Sequence, residues 1–395
     1  MRIVLNLGKG GVGKTTTSAA SAVRAAALGH RTLVVSTDIA HSLADVLDRP
    51  LGDEPVPIAA NLWGQEINVV AEMRRRWHEV RPRLNAVLQR EGLDAVASEE
   101  LAIVPGMDEL VALAQVNELS KSGSYDAVFV DAAPTGETIR LLSVPETLPW
   151  YIERVQNLGK KIPRIARPLA KSVIGDAGGF LDYAGDLSSL VKDLRVTLVD
   201  PEVSSYRLVV NPERMVVKEA LRAQTYLNLF GYPIDAVVLN QILPQPQSDD
   251  PFMQQLWQQQ QGYIRWVEDS FRPLPILRAP RHAREVIGLA ALDDLAESLF
   301  GRCDPTAVLH RGPTQVIEPI DGGYRMRIPM PNVEAERLNM AKRGDELFVD
   351  VGNIRREIAL PRVLAPLEAA GATLRDGFLE ITFVAPAEPQ AAASG

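Results

Sequence analysis

The sequence predicts an α/β fold: a mostly parallel sheet with helices on both faces and a helical insertion, followed by a small antiparallel β-sandwich domain. Three observations predict it. The chain opens on a short apolar run, Ile3-Val4-Leu5-Asn6-Leu7, then a glycine loop, then an alanine-rich stretch from Thr16 to Leu28 free of Gly and Pro. Apolar runs then alternate with helical stretches as far as Phe300, the pattern of strands joined by helical crossovers. From about Arg311 the period falls to two, and Gly-containing turns separate the alternating runs.

The loop between the first strand and helix reads Gly8-Lys9-Gly10-Gly11-Val12-Gly13-Lys14-Thr15, which fits G-x-x-x-x-G-K-[ST] at every position. Such a loop turns backbone N–H groups inward on phosphate oxygens, and the helix adds its positive end. Gly8, Lys9, Gly10, Gly11, Val12, Gly13, Lys14, Thr15 and Thr16 are therefore candidate nucleotide-binding residues. Lys14 would reach the β- and γ-phosphates and Thr15 would hold Mg²⁺. Lys9 is not required by an ordinary P-loop. K-G-G-V-G-K-T resembles the deviant Walker A of the signal-recognition and Min-type nucleotide switches, where the early lysine reaches the partner's nucleotide across a dimer. A plain surface lysine is the alternative.

The chain in order gives the remaining elements. Arg31 to Ser36 reads as a strand running into Thr37-Asp38-Ile39-Ala40-His41-Ser42. A carboxylate at the carboxyl edge of a parallel sheet stands where ligands bind, so Asp38 could orient an attacking water. An N-cap for the next segment is the lesser alternative, and His41 is as much a structural as a functional candidate. Ile67 to Val70 is a further predicted strand, Ala71 to Gln89 a charged helix interrupted by Pro82, Leu101 to Gly106 a short apolar segment, and Asp108 to Lys121 a helix. Ala127 to Val130 is a buried strand ending in Asp131, the Walker B arrangement for Mg²⁺. The run to Thr138 reads as a second switch loop.

Ile152, Val155, Leu158, Ile162, Ile165, Leu169 and Val173 form a helical stripe with a basic opposite face. It suits an anionic membrane or a partner helix, or short helices packed on their own domain, since Gly159, Pro163 and Pro168 divide it. Gly175 to Gly185 is expected to be mobile. Tyr206 to Val210 and Ala236 to Leu239 are strands flanking a helix from Glu213 to Phe230. Asp250 to Phe271 is a glutamine-laden helix, with Gln258 to Gln261 read as its solvated face. The segment Pro273 to Pro280 leads to a last helix ending near Phe300. Residues 1–305 thus make one expected domain, with helical regions at about 71–121 and 150–200. Residues 312–385 make a second, and 386–395 an expected disordered tail.

Composition narrows the function. The net charge of −8 argues against nucleic-acid partners. No run of 18 apolar residues exists, so an integral membrane protein is not expected. The first strand begins almost at once, which leaves no room for a signal peptide and points to the cytoplasm. Cys303 is the one cysteine, so neither a disulfide framework nor a single-chain thiolate cluster can form.

With all three loops in view, the first 300 residues resemble the arsenite-pump/guided-entry family of ATPases. That family's pattern is K-G-G-V-G-K-T, then T-D-P-A-H-S, then D-T-A-P-T-G-x-T; here they stand at Lys9 to Thr15, Thr37 to Ser42 and Asp131 to Thr138. Pro105 to Glu109 matches a further Pro-Gly-x-Asp-Glu. The resemblance implies ATP and Mg²⁺ as cofactors, Asp38 as the water-activating residue and Lys9 as the cross-dimer lysine. It also implies Asn240 as the adenine reader and Glu213, 27 residues earlier, as a contact to nucleotide across the dimer. It further implies a homodimer, and hydrophobic or tail-anchored client proteins as partners. Residues 328–333, 344–347 and 376–381 are similar to the α-crystallin fold of small heat-shock proteins. Ile39 replaces the family's proline and Ala132 its threonine, neither of them a charged group. The region Leu243 to Tyr263 lacks cysteine, so no zinc clamp is expected. An arsenite or antimonite pump subunit is the alternative function, disfavoured by the lone Cys303, and a Min- or partition-type positioning ATPase is another.

Overall fold

The computed structural model describes residues 1–38, 42–67, 107–132, 189, 191–247, 249–312, 315–352 and 354–386, with the backbone alone at 107–111. The segments expected at Ala71 to Gln89, Leu101 to Gly106, Ile152 to Val173 and Gly175 to Gly185 lie outside them. So do residues 39–41 and 133–138 of the two switch loops, and the tail from 387 on.

The first 300 residues contain β1 (Arg2–Leu7), α1 (Lys14–Ala27), β2 (Thr32–Ser36), α2 (Ser42–Leu47), β3 (Val56–Ala59), β4 (Leu62–Glu66), α3 (Met107–Lys121) and β5 (Ala127–Asp131). They continue with β6 (Ser204–Val210), α4 (Arg214–Phe230), β7 (Ile234–Ile242), α5 (Pro251–Ser270), β8 (Ile276–Pro280) and α6 (Gly288–Phe300). The strands form one eight-stranded sheet in the order β3-β4-β2-β5-β1-β6-β7-β8, parallel except for β3 against β4. β2, β5 and β6 are buried throughout and β1 from Ile3 on, as strands covered on both faces must be, which is why they read as unbroken apolar runs. Parallel pairing brings the carboxyl ends of β2, β5, β1, β6, β7 and β8 to one edge, with the chain leaving β1 in both directions. That edge is where an open α/β sheet opens a crevice.

β4, Leu62–Glu66, paired with β2, is a strand the sequence did not single out, and residues 68–70 of the strand expected at Ile67 to Val70 lie outside the described residues. Its Leu-Trp-Gly-Gln-Glu carries a buried Gln65 and Glu66, so hydropathy alone does not mark it as a covered strand. Glu66 has a reason to be inside: its Oε1 accepts from Ala44 N at 2.9 Å, in the first turn of α2.

The later residues form two antiparallel sheets, β14-β15-β10-β9 and β11-β12-β13. Their ranges are β9 Val316–Ile320, β10 Gly323–Pro329, β11 Leu338–Arg343, β12 Glu346–Val351, β13 Ile354–Ala359, β14 Glu368–Arg375 and β15 Phe378–Val384. Leu347, Val349 and Val351 alternate into one core with Met326, Ile328, Leu379, Ile381 and Phe383. Asp376 at φ 51° and Gly377 at φ 76° form the two-residue loop joining β14 to β15. Both central residues positive is the geometry whose twist matches the flanking strands, and Asp-Gly adopts it readily.

The sandwich sits on the C-terminal half of α4. Leu229 is part of the sandwich core and Tyr226 packs against it. Thr225 Oγ1 donates to Pro331 O at 3.2 Å, and buried Arg356 donates to Leu229 O. The segment before the sandwich is held by a buried ion pair. Arg207 on β6 meets Asp235 on β7 at 3.1 Å; its Nη2 also donates to Pro305 O at 2.9 Å, and Leu309 N donates to Asp235 at 3.3 Å. Among the described residues no helix is long and apolar enough to cross a membrane.

Candidate functional site

The glycine loop occupies the carboxyl end of β1, the central strand of the sheet edge. Gly11 at φ 81° and Gly13 at φ 94° lie in the left-handed region. At Gly13 a Cβ would also stand 2.3 Å from Asn240 Nδ2. Lys9, Gly10 and Gly11 are exposed at the loop's tip, whereas Val12 and Lys14 are buried. The lysine expected to hold phosphate thus lies inside the crevice, and the extra lysine projects from it.

Asp131 ends β5 with its side chain fully buried, as the sequence places it. Its neighbours come from both sides. Ser36 on β2 donates to Oδ2 at 3.3 Å, and Thr37 N and Oγ1 donate to the Asp131 backbone oxygen at 3.0 and 3.3 Å. Among the described residues Oδ1 has no hydrogen-bond partner. Thr15 Oγ1 is 3.1 Å from Ser42 Oγ, so the start of α1 meets the start of α2. Asp38 follows, half-buried, its backbone N donating to Ser36 Oγ at 3.3 Å. Three of the predicted residues, Thr15, Asp38 and Asp131, therefore share one corner of the crevice with Lys14.

Burial pushes the Asp131 carboxyl up to about 6, with nearby Asp38 adding to the rise and Thr15, Lys14 and Ser36 opposing it. The ordinary carboxyl in the unfolded chain titrates near 3.8. Between those values the native state holds a proton that the unfolded chain has released, so native stability falls as pH rises through the window. Without metal or nucleotide, the stability of Asp131→Asn relative to the wild type should grow by about 2 kcal/mol between about pH 4 and pH 7. Urea unfolding at the two pH values measures it, and parallel curves would show that Asp131 does not titrate in this way.

Asn240 lies near the end of β7, where the pairing with β8 shifts register between Leu239 and Ile242. Its Nδ2 donates to Val12 O at 2.8 Å, so β7 braces the glycine loop directly. One amide N–H and one lone pair remain for a ligand. Beside it opens a cavity of about 510 Å³, whose lining includes Gly13, Thr16, Asn240, Gln241, Arg281 and His282. Glu213 is the residue before α4; its side chain makes no cap bond and lines a separate cavity of about 270 Å³ with Gln260, Tyr263 and Arg281. Arg281 borders both cavities.

Sequence reasoning missed the 280–287 loop. Arg281 follows β8, a strand not singled out because Pro273, Pro275 and Pro280 crowd it, and the signal was its position just past a strand of a parallel sheet. His282 Nε2 is buried in the cavity wall without a partner among the described residues. Gln260, read as part of a solvated face, donates to Gln241 O at 3.1 Å and accepts from Leu243 N at 2.7 Å.

Residues 1–301 match the family model described as anion-transporting ATPase, and residues 321–383 match the HSP20-like domain found in ArsA. A putative arsenical pump-driving ATPase of Chlorobaculum tepidum is 37% identical over 97% of this chain and 96% of its own length. ATPase GET3B of Arabidopsis thaliana is 33% identical over 74% of this chain and 77% of its own. The ATPase ASNA1 homolog of Dictyostelium discoideum is 28% identical over 76% and 90%. The chain therefore belongs to the anion-transporting (ArsA) ATPase family and is a nucleotide-binding ATPase with the HSP20-like domain of that family at its C-terminal end.

Proposed function

We propose that this ATPase is a homodimeric nucleotide switch of the cytoplasm that carries hydrophobic protein segments, including tail-anchored ones. The observation that carries the reading is the convergence of Lys14, Thr15, Asp38 and Asp131 at one sheet edge, with Lys9 exposed beside them. Lys14 and the loop amides bind the phosphates, and Thr16, Asn240 and the 280–287 loop enclose the nucleoside. Asp38 holds the attacking water and takes its proton. Lys9 and Glu213 reach the nucleotide of the partner subunit, so the closed state needs two copies.

The donor set suits Mg²⁺: a hydroxyl at Thr15 and a carboxylate at Asp131 whose Oδ1 is buried and unpartnered among the described residues. When bound, the ion neutralises charge across the β- and γ-phosphate oxygens.

The names of several relatives favour a second reading, an arsenical pump-driving subunit. The cysteine content opposes it. A soft metalloid calls for thiolates, and the one cysteine, Cys303, is exposed just after α6. The HSP20-like domain docked on α4, whose first residue follows Glu213, supports a role with protein clients.

Capture of a transmembrane segment by purified protein tests the reading, in ADP and in a non-hydrolysable ATP analogue. Retention should depend on nucleotide and be prolonged by Asp38→Asn. Equal retention in every state sinks the carrier role, and stimulation of hydrolysis by antimonite would favour the pump.

A further inference from the structure

We propose that Gln260, on the face of α5 turned to the sheet, is a positioning residue for nucleotide binding. It clamps the bulge at the end of β7 and so aims Asn240 at the glycine loop. The proposal rests on the reading that the 510 Å³ cavity takes the nucleoside.

The register shift between Leu239 and Ile242 marks a bulge, a device that re-aims a side chain next to a site. Inside it Gln241 adopts φ 57°, a left-handed conformation that a residue with a Cβ and a long side chain rarely takes. Such a conformation persists only where its surroundings over-determine it. Here three hydrogen bonds do so. Gln241 N donates to Asn240 Oδ1 at 2.9 Å, Gln260 Nε2 donates to Gln241 O at 3.1 Å, and Leu243 N donates to Gln260 Oε1 at 2.7 Å. The outcome is Asn240 Nδ2 on Val12 O at 2.8 Å. A continuous chain of bonds thus runs from the middle of α5 to the phosphate loop.

The residue type is specific. The clamp needs one donor and one acceptor on the same side chain at that reach. Glutamate lacks the donor, asparagine is one carbon short and methionine lacks both. Gln258 and Gln259, the neighbours in the run, are exposed, whereas Gln260 is half-buried. Of the two cavities Gln260 borders the 270 Å³ one and not the 510 Å³ one, so its effect on the nucleoside passes through Gln241 and Asn240.

The test uses the full chain, with ATP and GTP as probes. Gln260→Met is expected to weaken ATP binding about tenfold, the loss of one to two hydrogen bonds. The rate at saturating ATP should stay within about twofold, since no reacting group is moved. The preference for ATP over GTP should fall with the affinity, a change that general loosening does not produce. Gln260→Glu, which keeps the acceptor for Leu243, should fall between the two and guards against a folding defect in the first variant. A glycine in place of Gln241 needs no clamp to hold a positive φ, so in a Gln241→Gly background Gln260→Met should cost less than about threefold. Unchanged affinity and preference in both Gln260 variants would overturn the proposal, as would the same loss in the Gln241→Gly background. Lys14→Ala separates the two readings. If ATP binding survives Lys14→Ala, the cavity reading and the clamp fall together. If Lys14→Ala abolishes binding while the Gln260 variants bind normally, only the clamp fails.

Discussion

Replacing Asp38 by Asn is expected to lower the rate of ATP hydrolysis at saturation by about 100- to 10,000-fold, the range for losing a general base. ATP binding should change little. The carboxylate stands just past β2, half-buried, beside the corner formed by Lys14, Thr15 and Asp131, and close enough to Asp131 to raise its titration. Asparagine keeps the shape and loses the basic oxygen. It also removes a negative charge from the neighbourhood of Asp131, so the Asp131 carboxyl should titrate lower in the variant than in the wild type. Single-turnover hydrolysis and equilibrium nucleotide binding, measured on the same preparations, separate chemistry from affinity. A variant that loses binding and rate together would assign Asp38 to holding the nucleotide, and full activity would remove it from the mechanism.

The second large effect concerns stability. Asp235→Ala is expected to destabilise the chain by about 3–5 kcal/mol, because it leaves the Arg207 guanidinium buried without its counter-charge. Both side chains are essentially inaccessible, at 0% and 1% exposure, so water cannot substitute. The loss is large against a typical total of about 5–15 kcal/mol. It should also loosen residues 305–309, which hang on the same pair through Pro305 O and Leu309 N. The double variant Arg207→Met/Asp235→Leu should recover most of the loss, since well-packed apolar residues often replace a buried pair without penalty. Urea unfolding of the single and double variants checks the energies, and limited proteolysis reads the 305–309 segment. A single variant as stable as the wild type would mean that water reaches Arg207.

The centre of the fold was legible in the sequence for a simple reason. β1, β2, β5 and β6 are covered on both sides, so burial and hydropathy coincide there. The glycine loop was legible because phosphate binding fixes both its glycines and its lysine. Where buried side chains are polar, that coincidence fails. β4 was not singled out because Gln65 and Glu66 are inside, and β8 was hidden by its prolines. Of the sandwich, β10, β12 and β15 showed themselves through strict alternation. β14, mostly exposed and alanine-rich, did not. In the site, residues ending strands could be found by position alone. Gln260 could not, because what distinguishes it from its neighbouring glutamines is a backbone conformation at Gln241, far from it in sequence.

One contact fixes how far the two parts of this chain can be treated as separate proteins. Leu229 belongs to a helix of the ATPase part, yet it is fully buried in the core of the sandwich, and its carbonyl is satisfied by Arg356 from β13. A chain cut before the sandwich would turn that leucine and Tyr226 out to water and leave the last turn of α4 without its guanidinium donor. The seam between the parts is thus a shared piece of interior, and a designer grafting either part elsewhere would have to supply a new cover for it.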